Sequence, residues 1–174
     1  MRVYWPTTLE ALTATAESGL VGTAPLSVHA VTPTLRDYYA DADPKDLEEE
    51  LEFVAMTDAA EESLRLIAAS TAPPRRVVLA LEVPDALVPA VERGAWTGPD
   101  RSRLHLDGDV RLDALVSVHV DAAEAEADVR SAVEALPAAD AGDEDARFTV
   151  EAAEGHDLLW YDASELSLLL AVGP

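Results

Sequence analysis

The stretch VHVDAAEAEAD, residues 118–128, sets His119 and Asp121 beside Glu124, Glu126 and Asp128. An imidazole among carboxylates is a donor set for a metal ion, so the first question is whether these groups form such a site. Their spacing favours another role. Asp121 followed three residues later by Glu124 is the pattern of a capping box, in which the first side chain accepts from an N–H of the opening helical turn and the glutamate reaches back. Acids also suit the positive end of the helix dipole. His119 lies two residues before Asp121, so on a strand the two point to one side, and a water- or metal-linked pair is the competing reading.

The elements that would position these groups follow one pattern, met five times. RVYW leads to Pro6, Thr7 and Glu10, LSVHAV to Thr32 and Pro33, and RVVLALEV to Pro84 and Asp85. LVSVHV leads to Asp121 and Glu124, and DLLWY to Asp162 and Glu165. Thr7–Glu10, Asp121–Glu124 and Asp162–Glu165 have capping-box spacing, and Pro33 suits a first helical position after Thr32. Residues 43–70 read as one helix, with Asp43 as cap and Pro44 at its first position. There Phe53, Met56, Ala60, Leu64 and Ile67 form the expected core stripe, while Leu47, Leu51 and Val54 lie on another face. Glu48, Glu49, Glu50 and Glu52 read as a solvated face, without the Glu-x-x-His pairing of a di-iron helix.

Asp107-Gly108 between alternating runs predicts a hairpin, and RGAWTGPDRS, residues 93–102, a surface loop. Residues 140–151, DAGDEDARFTVE, read as an exposed acidic linker between two helices. This segment and DADPKDLEEELE, residues 41–52, imitate calcium loops. The first lacks an acid at the third position; in the second Pro44, Lys45 and Asp46 break the pattern. No metal site is assigned, and no cofactor. The sequence has no glycine-rich phosphate loop, Gly-x-Ser-x-Gly elbow or His-Glu-x-x-His motif.

Composition bounds the function. With 34 acidic and 12 basic residues the net charge is −22, which repels nucleic-acid phosphate and anionic lipid and favours a partner with a basic protein surface. Aromatics are only 5%, so the core must be mostly Val, Leu and Ala. Lys45 is the one lysine; the arginine bias fits high-GC coding better than salt adaptation, because 49% of residues are still apolar. The absence of cysteine, of a secretory h-region and of any run near the roughly 20 apolar residues of a membrane span leads to the expectation of a cytoplasmic protein.

MRVYWPTTLEAL, HAVTPTLRDYYADAD, RRVVLALEVPDA, VSVHVDAAEAEADV and HDLLWYDASEL, in this order, resemble an uncharacterised family of small acidic proteins of unknown function from actinobacteria. The resemblance covers nearly the whole chain and implies a cytoplasmic protein of a high-GC bacterium. It implies no activity and no catalytic residue.

Five strands each feeding a helix predict an α/β fold, a single domain with one central mixed β-sheet flanked by helices. Parallel strands would gather Trp5, Thr7, Thr32, Asp85, His119, Asp121, Trp160 and Asp162 at one edge. Trp160 is expected to pack under a helix with Tyr161 at the sheet margin; the sharper alternative puts Trp160 in a pocket with Asp162 and Trp5. Two functions follow. One is a non-enzymatic interaction or regulatory module whose acidic surface meets a basic partner. The other is divalent-cation-dependent phosphoester hydrolysis, which requires Asp85, Asp121 and Asp162 to converge.

Overall fold

The computed structural model describes residues 1–39, 47–88 and 99–172. The chain begins with β1 (Arg2–Thr7), α1 (Leu9–Ser18), β2 (Leu20–Gly22), β3 (Leu26–His29), α2 (Pro33–Tyr38), α3 (Leu47–Ala68) and β4 (Val77–Glu82). It continues through β5 (Arg103–Leu106), β6 (Val110–Arg111), β7 (Leu115–Asp121), α4 (Glu126–Asp140), α5 (Glu144–Ala152), β8 (Leu158–Asp162) and α6 (Leu166–Val172). Six strands form one sheet in the order β5-β3-β1-β4-β7-β8, and β2 and β6 pair separately.

The α/β class, with a central sheet flanked by helices in a single domain, is the one the sequence implies. The strand sense differs: among the described residues every pairing is antiparallel, where a mixed sheet was expected. The connections explain this. One crossover helix carries the chain to the far end of a sheet and yields a parallel strand, whereas two helices packed as a hairpin bring it back. Between β7 and β8 run α4 and α5, which pack on each other around Gly142, at φ 96°. β8 therefore starts where β7 ends, with Leu158 opposite Asp121. β3 and β4 do run in the same direction, but β1 lies between them.

Pro6 sits in a central strand without breaking it. Strand residues direct their N–H groups alternately to the two sides. Val83 N–H reaches Met1 C=O, which places the odd residues of β1 on the β4 side and turns the Pro6 nitrogen toward β3. The β1–β3 register ends at Tyr4–His29, just short of Pro6, so the missing N–H falls on the weakly paired side and the β4 ladder is intact.

Alternation divides the core between the two faces of the sheet. Val3, Val28, Leu79, Leu104 and Val118 pack with Leu12 of α1 and Leu166 and Leu169 of α6. Tyr4, Val78 and Ala80 on the opposite face pack under Leu51, Ala55 and Ala59 of α3. The C-terminal half of α3 continues onto α4 and α5 through Leu64, Ile67, Val129 and Leu136. Of the expected α3 stripe, Ala60, Leu64 and Ile67 are buried, whereas Phe53 at its start is not. Leu51, Ala55, Ala59 and Ser63 widen the buried face, while Phe53 is 60% exposed. Small side chains let the helix lie close to the sheet. Ser63 Oγ donates to Thr7 C=O at 2.7 Å and accepts Val77 N–H at 2.9 Å, tying α3 to two strands.

The helix starts divide into those read correctly and those corrected. Thr32 caps α2, accepting Leu35 N–H at 3.1 Å with Pro33 following, and Asp162 and Glu165 form their capping box. The cap of α1 is Thr8, which accepts Ala11 N–H, rather than Thr7, which ends β1. Asp43 and most of the 93–102 loop lie outside the described residues. The expected hairpin at Asp107-Gly108 is not formed: β5 pairs with β3, and β6 with β2.

Asp121 is not a cap. Ala122 precedes the next helical turn and makes no side-chain bond, while Asp121 is fully buried. Its Oδ2 accepts Arg76 N–H at 2.7 Å and Arg76 Nε–H at 2.9 Å, and its Oδ1 accepts Arg76 Nη2–H at 2.7 Å. The same Nη2 donates to His156 C=O at 3.0 Å. The partner lies 45 residues earlier, beyond the reach of any local pattern.

Removing one member of such a pair strands a buried charge. Asp121→Ala is expected to cost about 3–5 kcal/mol in urea unfolding, and Asp121→Ser to recover little of it. A loss near 1 kcal/mol with recovery by serine would restore the capping role.

Candidate functional site

α3 crosses the sheet but leaves its β7–β8 side uncovered. Between them runs a groove of two cavities of about 230 Å³ each, which share Phe53 and Met56. The floor of the first follows from strand register. His119 stands opposite Val78 on one side and Trp160 on the other, and Ser117 opposite Ala80, itself opposite Tyr4. Alternation turns all of these, with Arg2, to the α3 face. Glu49, Glu52 and Phe53 of α3 form the wall across from Trp160.

The polar groups of this cavity are mostly committed. Tyr4 donates to Glu52 Oε2 at 3.4 Å, and burial, with the Glu52 charge next, pushes its phenol up to about 12. Ser117 Oγ lies 3.0 Å from His119 Nε2. Burial, then the charge of Arg2, lowers the His119 pKa below 6.5, so the ring is neutral at neutral pH. A hydroxyl beside a neutral imidazole is the start of a nucleophile–base pair, but the chemistry needs a third group to orient the ring. Among the described residues His119 bonds only Ser117, and Ser117 is 3% exposed. What is open to solvent is Glu49 and two aromatic rings, Phe53 and Trp160, each 60% exposed.

The second cavity continues the groove past Met56 to Arg76, Glu154, His156 and Asp157. Arg76 is already held by Asp121, and His156 Nε2 is 2.7 Å from Asp128. Glu154 is different. Partial desolvation by the groove walls raises its carboxyl above the usual range; Glu61 and Glu151 raise it further, against a smaller opposing effect of Arg76. The end of the groove is thus short of positive charge.

A second polar cluster is sealed beneath α3. Ser102 donates to Asp58 at 2.5 Å and lies 2.8 Å from His29 Nδ1, while His29 Nε2 lies 3.0 Å from Glu62. Arg103 also donates to Glu62, at 2.6 Å. The serine has one proton and gives it to Asp58, so its oxygen is left to accept from His29 Nδ1. With His29 and Ser102 both buried, this network fastens α3 to β3 and β5.

Of the residues singled out by sequence, His119 and Trp160 meet in the groove. Trp160 is not under a helix, and its cavity contains neither Asp162 nor Trp5; Trp5 packs on the opposite face of the sheet. Thr32 is a buried cap, and Asp85 lies 3.3 Å from the Met1 amino nitrogen. The three carboxylates do not converge. Asp121 is level with Leu158, so Asp162 lies four residues away along β8, about 13 Å. Asp85 lies beyond the other end of β4 from Arg76, the residue that holds Asp121. Antiparallel strands put their C-terminal ends on alternate edges, which removes the single edge a parallel sheet would have made. Among the described residues no group of three His, Asp or Glu side chains could hold a metal ion. Sequence reading missed Arg2, Tyr4 and Ser117 and assigned Phe53 to the core. Ser117, His119 and Asp121 at alternate positions among valines were the available signal.

The chain belongs to a family of unknown function, DUF6912, whose model matches residues 1–170. No curated protein and no solved structure matches it.

The buried network makes a pH-dependent contribution of definite sign. The hydrogen bond from His29 is the main cause lowering Glu62 below its ordinary 4.5, with Arg103 assisting against burial. A depressed carboxylate stabilises the fold above its unfolded value, and that contribution disappears as pH falls through the folded one. Glu62→Gln should therefore lower Tm at pH 7 and flatten its decline below about pH 4.5. Parallel acid limbs for the two proteins would remove Glu62 from the account.

Proposed function

We propose that this member of the DUF6912 family is a non-enzymatic interaction or regulatory module whose acidic surface receives a basic segment of a protein partner in the α3/β7–β8 groove. One observation carries the reading: Phe53 and Trp160, both 60% exposed, face a groove bordered by Glu49, Glu52, Glu154 and Asp157. Aromatic faces beside carboxylates suit arginine or lysine, through cation–π attraction and charge-assisted hydrogen bonds. The net charge of −22 would steer such a partner and repel nucleic acid and anionic membranes. Among the described residues no helix is long and apolar enough to cross a membrane. A cytoplasmic location in an actinobacterium belongs to the same proposal, on the arginine bias and the absence of cysteine. Phosphoester hydrolysis has no such support, since its three carboxylates stand apart.

Bulk charge alone would attract any polycation, so the test keeps charge constant. A fluorescein-labelled arginine-rich peptide, followed by anisotropy, is expected to bind Phe53→Ser about tenfold more weakly than the parent. Phe148→Ser, on the 74% exposed ring of α5, should leave affinity unchanged. Equal affinities for all three proteins would mean that the groove is not the site.

A further inference from the structure

β8 is the last strand of the sheet, and two hydrogen bonds fix which of its main-chain groups face outward. Asp121 N–H reaches Arg76 C=O, on the β4 side of β7, and Asp162 N–H goes to the Glu165 carboxylate at 2.9 Å. In an antiparallel ladder the bonded pairs alternate. Leu159 and Tyr161 therefore bond to β7, while Leu158 and Trp160 direct N–H and C=O to the open edge. The strand, LLWYD, has no proline, no lysine and no register shift against β7, the usual devices that blunt an edge. Leu159 is 41% exposed on one face and Trp160 60% on the other. Leu168 and Val172 of α6 are exposed as well. Carboxylates mark both ends: Asp157 before the strand, Asp162 as its last residue and Glu165 after it.

We propose that β8 takes up an extended peptide as a seventh strand, and that the partner segment has a β-branched or apolar centre with a basic residue at each end. Main-chain bonds to Leu158 and Trp160 supply affinity, and the terminal carboxylates select the charge. This rests on the basic-partner reading above and specifies its mode. A second copy of the chain is the poorer occupant. A two-fold axis at Trp160 would set Asp162 of each copy opposite Leu158 of the other, one residue from its Asp157, between two molecules each of charge −22.

The experiment measures amide hydrogen exchange of the full chain by NMR, with and without a synthetic peptide of about eight residues, alternating valine and threonine between terminal arginines. Saturation should slow exchange at Leu158 and Trp160 about tenfold or more while leaving Leu159 and Tyr161 nearly unchanged. Trp160→Pro removes an outward donor but no ladder bond, and should bind about tenfold more weakly than Trp160→Val. Binding with no added protection at Leu158 and Trp160, and equal affinity of those two variants, would overturn strand addition while leaving the groove reading intact. Protection of the same amides without peptide, rising with protein concentration as dimers form, would assign the edge to a second copy and overturn the proposal. No binding by this peptide or the arginine-rich one would overturn both readings.

Discussion

The fold depends on one ion pair. Arg76 and Asp121 are 4% and 0% exposed in their side chains, and three charge-assisted bonds of 2.7–2.9 Å join them. Taking both charges out of water costs several kcal/mol per ion, and only close geometry with further hydrogen bonds to the buried groups offsets it. That geometry is met here. The carboxylate takes the Arg76 main-chain N–H as well as the guanidinium, and the guanidinium takes His156 C=O. One contact thus fixes the start of β4, the end of β7 and the approach to β8. A hydrophobic pair would fill the same volume but could not impose this three-way register.

The groove follows from that placement. β8 is an edge strand whose one strand neighbour among the described residues is β7, and its position decides how far Trp160 stands from Phe53. The close seating of α3, through Ala55, Ala59 and Ser63, leaves its larger side chains, Phe53 and Met56, turned toward the opening. Charge is arranged to match. The arginines nearest the groove are committed, Arg2 to Glu82 and Arg76 to Asp121, and His119 is neutral, whereas Glu154 has its carboxyl raised by desolvation and by other acids. Such a surface has a deficit of cations that a partner can fill.

What was legible in the sequence was local. Thr32 with Pro33, and Asp162 with Glu165, are caps because their partners lie within three residues, inside the reach of a short motif. Asp121–Glu124 has the same spacing and a different role, because Arg76 is distant in sequence and no local pattern registers it. The α3 stripe held at Ala60, Leu64 and Ile67 and failed at Phe53 for a related reason. Hydropathy selects Phe53 and Met56, but a helix laid close to a sheet needs alanine and serine at the contact. Strand-to-helix transitions established the α/β class; the sheet became antiparallel because α4 and α5 fold back as a pair, which is tertiary information. Of the candidate site, His119 and Trp160 could be named from sequence, but their meeting required the register of β7 against β8.

The central claim is that the Arg76–Asp121 pair holds β8, and with it the groove, in place. Residue-resolved amide exchange on Asp121→Asn, compared with the parent chain at one pH, tests it most directly. The account predicts that Leu159 and Tyr161, whose amides bond to β7, lose protection about tenfold more than Val3 and Trp5, whose amides bond to β4. Protection of β8 equal to the parent's, or a uniform loss across all strands, would contradict it.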